Sequence, residues 1–302
     1  MPVDLEARAE AYVPPLVALG FAIVALSTSA ILIRWSEAPS TVKALYRVVF
    51  TISLLAPWAL RRSTVAELGR LSRRDGILAI VAGIALAIHF AAWFESLEWT
   101  SVAASVTLVQ TQPIFVALGA YLLLRERVTG RMVAGILVAV VGAAVMTVAD
   151  ASGGFGVGGM QAVGNALALV GALMAAGYVL AGRSIRQRVG VVAYVLVVYT
   201  ACAVVLFGIV LAQGVPLFEY PAREWLLFLG MAIGPGLLGH TVVNWALAHL
   251  ESSVVSVSLL GEPVGATILA LFLLGEAPTE MTILGGAIVL AGIYVTAADR
   301  SG

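Results

Sequence analysis

Long apolar runs separated by short charged or turn-forming breaks make up this chain. Ten runs stand out, near residues 14–33, 41–60, 77–97, 101–123, 131–149, 160–181, 190–212, 224–247, 252–274 and 279–298. Each is about twenty residues long and none alternates polar with apolar positions, so the pattern predicts membrane-spanning helices and excludes a β-barrel. Two runs share an interruption: Gln112-Pro113 in the fourth and Glu262-Pro263 in the ninth. Proline removes a backbone donor and crowds the preceding turn, so Pro113 and Pro263 are expected to bend their helices at mid-span.

The interruptions belong to a longer echo. Residues 113–142 and 263–292 share eight identities (Pro113, Ala120, Leu123, Leu124, Glu126, Thr129, Gly135 and Gly142), where about three are expected by chance from so restricted an alphabet. The chain therefore reads as an N-terminal segment 1–13, a five-helix repeat 14–149, a Gly-rich linker 150–159, a second five-helix repeat 160–298 and a tail 299–302. Because five is odd, the halves insert upside down relative to each other, a plan of secondary transporters that bind substrate near the midplane. The fold class is all-α and integral to the membrane, with ten helices in two inverted repeats.

Composition supports the pattern: 61% of the 302 residues are hydrophobic, only 11% are charged, and the mean hydropathy is +1.03. Net charge is zero, with no basic face for nucleic acid. A cytoplasmic N-terminus puts thirteen Lys and Arg residues inside and three outside, with Arg47 within the second helix. That bias predicts both termini in the cytoplasm. The polar, slightly acidic residues 1–13 do not read as a signal peptide. Cys202, the one cysteine, lies in an apolar run and reads as packing.

The candidate chemistry is the set of polar groups at membrane depth. Glu262 is a carboxylate at mid-span, able to carry a coupled proton or meet a substrate ammonium; the bland alternative is a protonated carboxyl bonded to Ser258 or to backbone freed by Pro263. Its first-half equivalent, Gln112, cannot titrate. Ser101, Ser105, Leu108 and Gln112 share one helical face, which lines either a cavity or a close helix contact. His89 and Trp93 are one turn apart, and His240 and Asn244 repeat that spacing 151 residues on. These pairs suggest two walls of one cavity; neutral histidines bonded to neighbouring helices are the alternative. Metal is not expected, since no cysteine and one carboxylate accompany them. Tyr46 and Tyr199 are further cavity candidates, Tyr46 and Trp93 reading also as members of an outer aromatic belt, with Asn165, Tyr178 and Ser27 to Ser29 behind them. Arg47 reads as a snorkelling or ion-paired residue, or as a partner for a substrate carboxylate. Trp99, Tyr220 and Trp225 read as an outer aromatic belt, and Glu126 and Glu276 as anchors at the membrane edge.

The motif from Trp99-Thr-Ser-Val-Ala-Ala-Ser-Val through Pro113 to Leu123-Leu-Arg-Glu-Arg-Val-Thr-Gly resembles the EamA-type, ten-helix branch of the drug/metabolite transporter superfamily. So do Leu250-Glu-Ser-Ser-Val-Val-Ser-Val, Glu262-Pro263 and Leu274-Gly-Glu, and Arg47 fits the same pattern. The resemblance covers essentially the whole chain. It implies an inner-membrane secondary transporter, often an exporter of amino acids or related metabolites, without cofactor and not an enzyme. Exporters of aromatic amino acids are similar in plan. Efflux of lipophilic drugs or cations is the competing transport reading; a passive channel or a non-transport membrane protein is the reading from another class. Oligomeric state is open.

Overall fold

The computed structural model describes residues 13–99, 105, 108–150, 161–275, 278 and 280–298. The Gly-rich linker, Glu276 and most of the two terminal segments lie outside them. Among the described residues every element is helical. In chain order these are α1 (Pro15–Trp35), α2 (Ser40–Ala59), α3 (Arg62–Arg70), α4 (Arg73–Trp99), α5 (Gln112–Gly119), α6 (Gly130–Asp150), α7 (Gln161–Arg186) and α8 (Val191–Gln213). There follow α9 (Ala222–Met231), α10 (Val242–Ala246), α11 (Ser252–Ser258), α12 (Gly261–Leu274) and α13 (Glu280–Ala298). A π-helical stretch, Ala232–Thr241, joins α9 to α10, and another, Ala120–Leu124, extends α5. Among the described residues seven helical stretches are long and apolar enough to cross a membrane: Pro15–Ile33, Ser40–Ala59, Arg73–Ser96, Ala162–Arg186, Val191–Gln213, Ala222–Ala246 and Ser252–Leu273. Gln112–Leu124, Gly130–Val145 and Glu280–Thr296 are shorter apolar helices.

At each of the two prolines the regular helix is interrupted by a tightened turn. Before Pro263 the backbone tightens into bonds between residues three apart, Leu260 N–H to Val257 O at 3.1 Å and Glu262 N–H to Leu259 O at 2.9 Å, and α12 then starts afresh at Gly261. Before Pro113 the same tightening runs from Thr111 N–H to Leu108 O at 3.2 Å, and α5 starts at Gln112. Each proline thus sits in the first turn of a new helix, where its missing N–H has no intrahelical acceptor to lose. Pro235 acts differently. It falls inside the π-helical stretch, whose wider turn absorbs the ring that a regular helix would reject.

Glycine sets the closest approaches. A Cβ at Gly135 on α6 would come within 2.8 Å of Gly292 O, and one at Gly292 on α13 within 2.5 Å of Ala139 N. A Cβ at Gly142 would lie 2.6 Å from Val289 N and 2.8 Å from Gly285 O. Contacts that rise along α6 and fall along α13 make the crossing antiparallel. They are also reciprocal: residue 135 meets 292 and residue 142 meets 285, and each partner is the other residue's equivalent 150 positions on. Elsewhere Gly83 on α4 abuts Val198 O on α8, and Gly236 abuts Thr51 on α2. Backbones packed this closely gain dispersion contacts that lipid cannot offer.

Side chains tie the two ends of the bundle. At one end Glu126 accepts Arg183 Nε at 2.7 Å and takes both the backbone N–H (3.1 Å) and the hydroxyl (2.7 Å) of Ser252, the first residue of α11. A carboxylate on a helix N-terminus is favourable for the dipole and satisfies an orphan donor. At the opposite end Tyr46 donates to Leu217 O at 2.6 Å and stacks on Phe228 at 5.1 Å, with Trp225 edge-on at 4.8 Å.

One helix end is strained. Arg125, which closes the α5 span, has φ 55°, whereas Gly275, its equivalent closing α12, has φ 70° and no Cβ to clash. Arg125→Gly is expected to stabilise the protein by about 1 kcal/mol, read as a higher melting midpoint in detergent.

Candidate functional site

The site combines regular helices with two irregular stretches. Six elements converge there: α2 with Arg47, α4 with His89, Phe90 and Trp93, α7 with Tyr178, α8 with Tyr199 and Cys202, the π-helical stretch with His240, and α12 with Glu262. The charge of Arg47 reaches Glu262, His89, His240, Tyr199 and Cys202. The wider winding at Pro235 and the fresh start at Gly261 set the phase of His240 and Glu262 along their spans.

Arg47 is 6% exposed, and its guanidinium lies 4.2 Å from the centroid of the Phe90 ring. Its Nη2 is buried without a hydrogen-bond partner. It does not snorkel, and no ion pair joins it to an acid among the described residues. Phe90 meets His240 edge-on at 6.1 Å, and His240 meets Tyr178 at 6.4 Å. His89 stacks on Trp93 at 5.9 Å, and its Nδ1 is 2.9 Å from Gly171 O. A carbonyl can only accept, so Nδ1 carries a proton. Asn244 is fully buried and donates Nδ2 to Tyr178 Oη and, at 2.7 Å, to His240 O; its Oδ1 is without a partner. Tyr199 Oη is 3.3 Å from Thr241 Oγ1.

Glu262 is half-buried in the first turn of α12. Its backbone carbonyl lies 3.0 Å from Ser27 Oγ on α1, but its carboxylate takes no hydrogen bond or ion pair among the described residues. The partner expected from sequence is occupied elsewhere: Ser258 Oγ donates to Val254 O at 2.7 Å. Gln112 occupies the matching place on α5, half-buried.

The structure brings His89, His240, Tyr199 and Glu262 into one electrostatic neighbourhood, with Trp93 stacked on His89 and Asn244 holding Tyr178. Two expectations need correction. Tyr46 faces the end of the bundle, because its hydroxyl is drawn to the Leu217 carbonyl and its ring to Trp225 and Phe228. Ser105 is fully buried against α4, 2.5 Å from Ser96 Oγ, so it serves a helix contact. Ser27 and Thr28 bond to their own helix, at Ile23 O (2.8 Å) and Ala25 O (2.6 Å). Sequence reasoning underrated Arg47 and passed over Phe90. An arginine two turns inside an apolar span was the available signal.

A helical bundle of apolar spans with charged and aromatic groups gathered inside it is a membrane transporter in class. Residues 14–148 and 162–298 each match the EamA-like transporter family, to which this chain belongs, within the drug/metabolite transporter superfamily. It is thereby a multi-pass membrane protein. It is 28% identical over 270 residues to the pseudopaline exporter of Pseudomonas aeruginosa, covering 88% of this chain and 90% of that one. It is 27% identical over 191 residues to the probable terminal-alkyne amino-acid exporter of Streptantibioticus cattleyicolor, covering 62% and 61%. One solved crystal structure superposes with a TM-score of 0.81 over 95% of this chain and 98% of its own at 22% identity, so the fold is shared.

Proposed function

We propose that this protein is a secondary exporter of small zwitterionic metabolites, amino acids foremost, working by alternating access in the inner membrane. The observation that carries the reading is Glu262. A carboxylate without a partner among the described residues stands in the first turn of α12, within electrostatic reach of Arg47, whose charge also reaches His89 and His240. Opposite charges that share a neighbourhood without forming an ion pair leave each available to one end of a zwitterion. Phe90 and Trp93 supply apolar surface for its side chain.

The scaffold fits such a mechanism. Ten spans in two inverted five-helix repeats would give α6 and α13 the reciprocal antiparallel contacts seen between Gly135 and Gly292 and between Gly142 and Gly285. The excess of Lys and Arg on one side supports cytoplasmic termini. The relatives named as exporters support the outward direction, and one of them is named for amino acids. Efflux of lipophilic cations would set a cation beside the buried guanidinium of Arg47, which disfavours it.

Counterflow in proteoliposomes tests the reading, with a panel of radiolabelled amino acids and with and without a pH gradient. Saturable counterflow of several neutral amino acids is expected, accelerated by the gradient. Silence across the panel from folded protein overturns the amino-acid assignment.

A further inference from the structure

Arg47 has no structural duty that accounts for its charge. It lies two turns into α2, roughly 10 Å along the span from Ser40, too deep for its guanidinium to be needed at the membrane edge. The guanidinium faces Phe90 rather than water, and Nη2 has no hydrogen-bond acceptor. A ring face attracts a cation but cannot accept five N–H bonds. The bundle offers other arginines acceptors: Arg183 has Glu126 and the Leu247 carbonyl, and Arg188 has Asp75 and the Ser184 carbonyl. Of these three, Arg47 alone has a buried nitrogen without a partner among the described residues. Buried arginines are retained where a planar anion completes their hydrogen bonds.

We infer that Arg47 is the carboxylate-binding residue of the substrate site, its open Nη2 holding the anionic end of the transported molecule above the Phe90 ring. The assignment rests on the carrier reading above and makes it specific. Substrates must carry a carboxylate, and the rest of the molecule extends toward His240 and Glu262. Arginine suits the task better than lysine because its fork can bind both oxygens of one carboxylate. Phe90 holds the guanidinium plane in position without consuming its donors.

Competition in the counterflow assay tests this with four compounds that share one side chain: the amino acid, its amide, its decarboxylated amine and its N-acetyl derivative. In the wild-type protein the amide and the amine should compete at least about tenfold less well than the amino acid. The N-acetyl compound, which keeps the carboxylate, should outcompete both. In Arg47→Gln the amino acid should fall to the level of the amide. Arg47→Lys, which keeps the charge and demands less of the fold, should retain a reduced preference for the acid over the amide. A wild type that transports but does not distinguish acid from amide overturns the assignment and leaves the carrier reading standing. So does a folded Arg47→Gln protein, judged by an unchanged melting midpoint, that still distinguishes them. If the glutamine variant does not fold, Arg47→Lys decides: an undiminished acid-to-amide ratio in it overturns the assignment. A wild type indifferent to all four compounds overturns the amino-acid reading itself.

Discussion

Replacing Glu262 with glutamine should leave the protein at least as stable, by up to about 1 kcal/mol, while lowering transport at least about tenfold. The two halves of this expectation come from the same fact. In the folded chain the carboxylate is half-buried and receives no hydrogen bond or ion pair among the described residues. Its charge is a cost of folding that only the unpaired charge of Arg47 offsets, and only in part. Glutamine has the same shape and no charge, so the cost goes and the first turn of α12 is undisturbed. Ser27 is undisturbed, because its hydroxyl is shared between Ile23 O and the backbone carbonyl of residue 262 and does not bond the side chain. A group that destabilises the fold and is still present is typical of a site built for a ligand. The measurement pairs a thermal melt in detergent with counterflow per folded molecule. Loss of several degrees with turnover retained would make Glu262 structural and remove the main support for the transport site proposed above. Loss of gradient acceleration alone, with exchange retained, would assign Glu262 to proton coupling rather than to substrate binding.

The sequence made most of the scaffold readable because hydrophobic length alone is enough to recognise a span. The apolar runs near 14–33, 41–60 and 190–212 agree closely with α1, α2 and α8. What it concealed was local. The stretch from Arg61 to Asp75 reads as a charged break, yet Arg62–Arg70 is a helix; a nine-residue element with arginine at both ends carries too little periodicity to register. The π-helical winding at Pro235 was invisible because a proline among glycines signals irregularity without saying which kind. The same holds for Pro113 and Pro263, where residue type predicts disruption but not whether the helix bends or restarts. In the candidate site, the histidines and Glu262 could be picked out because polar groups are rare in apolar runs. Tyr46 and Ser105 were drawn elsewhere by partners far away in the chain, Leu217 with Phe228 in one case and Ser96 in the other. Arg47 needed the structure, since only the geometry shows that its guanidinium has turned inward onto Phe90.

The largest effect on stability is expected at the crossing of α6 and α13. Gly292→Leu should cost about 3 kcal/mol or more and sharply reduce the yield of folded protein. A Cβ there would meet Ala139 N at 2.5 Å and Gly135 O at 2.6 Å, both of them backbone. No rotamer relieves such a clash; the helices must separate, and with them go the contacts that the glycines allow. Gly20→Leu is the matched control, since nothing lies within 4 Å of a Cβ at Gly20, and its cost should stay within about 0.5 kcal/mol. The crossing also tests the repeat. If the halves are related by a two-fold axis in the membrane plane, residues 142 and 292 occupy equivalent places, and Gly142→Leu should lower the melting midpoint by the same amount as Gly292→Leu. The backbone neighbours of Gly142, Val289 N at 2.6 Å and Gly285 O at 2.8 Å, are close enough for that. A Gly292→Leu protein that melts with the parent would mean that the helices do not approach this closely. Unequal losses at 142 and 292 would keep the contact but deny the symmetry on which rocking of one half against the other depends.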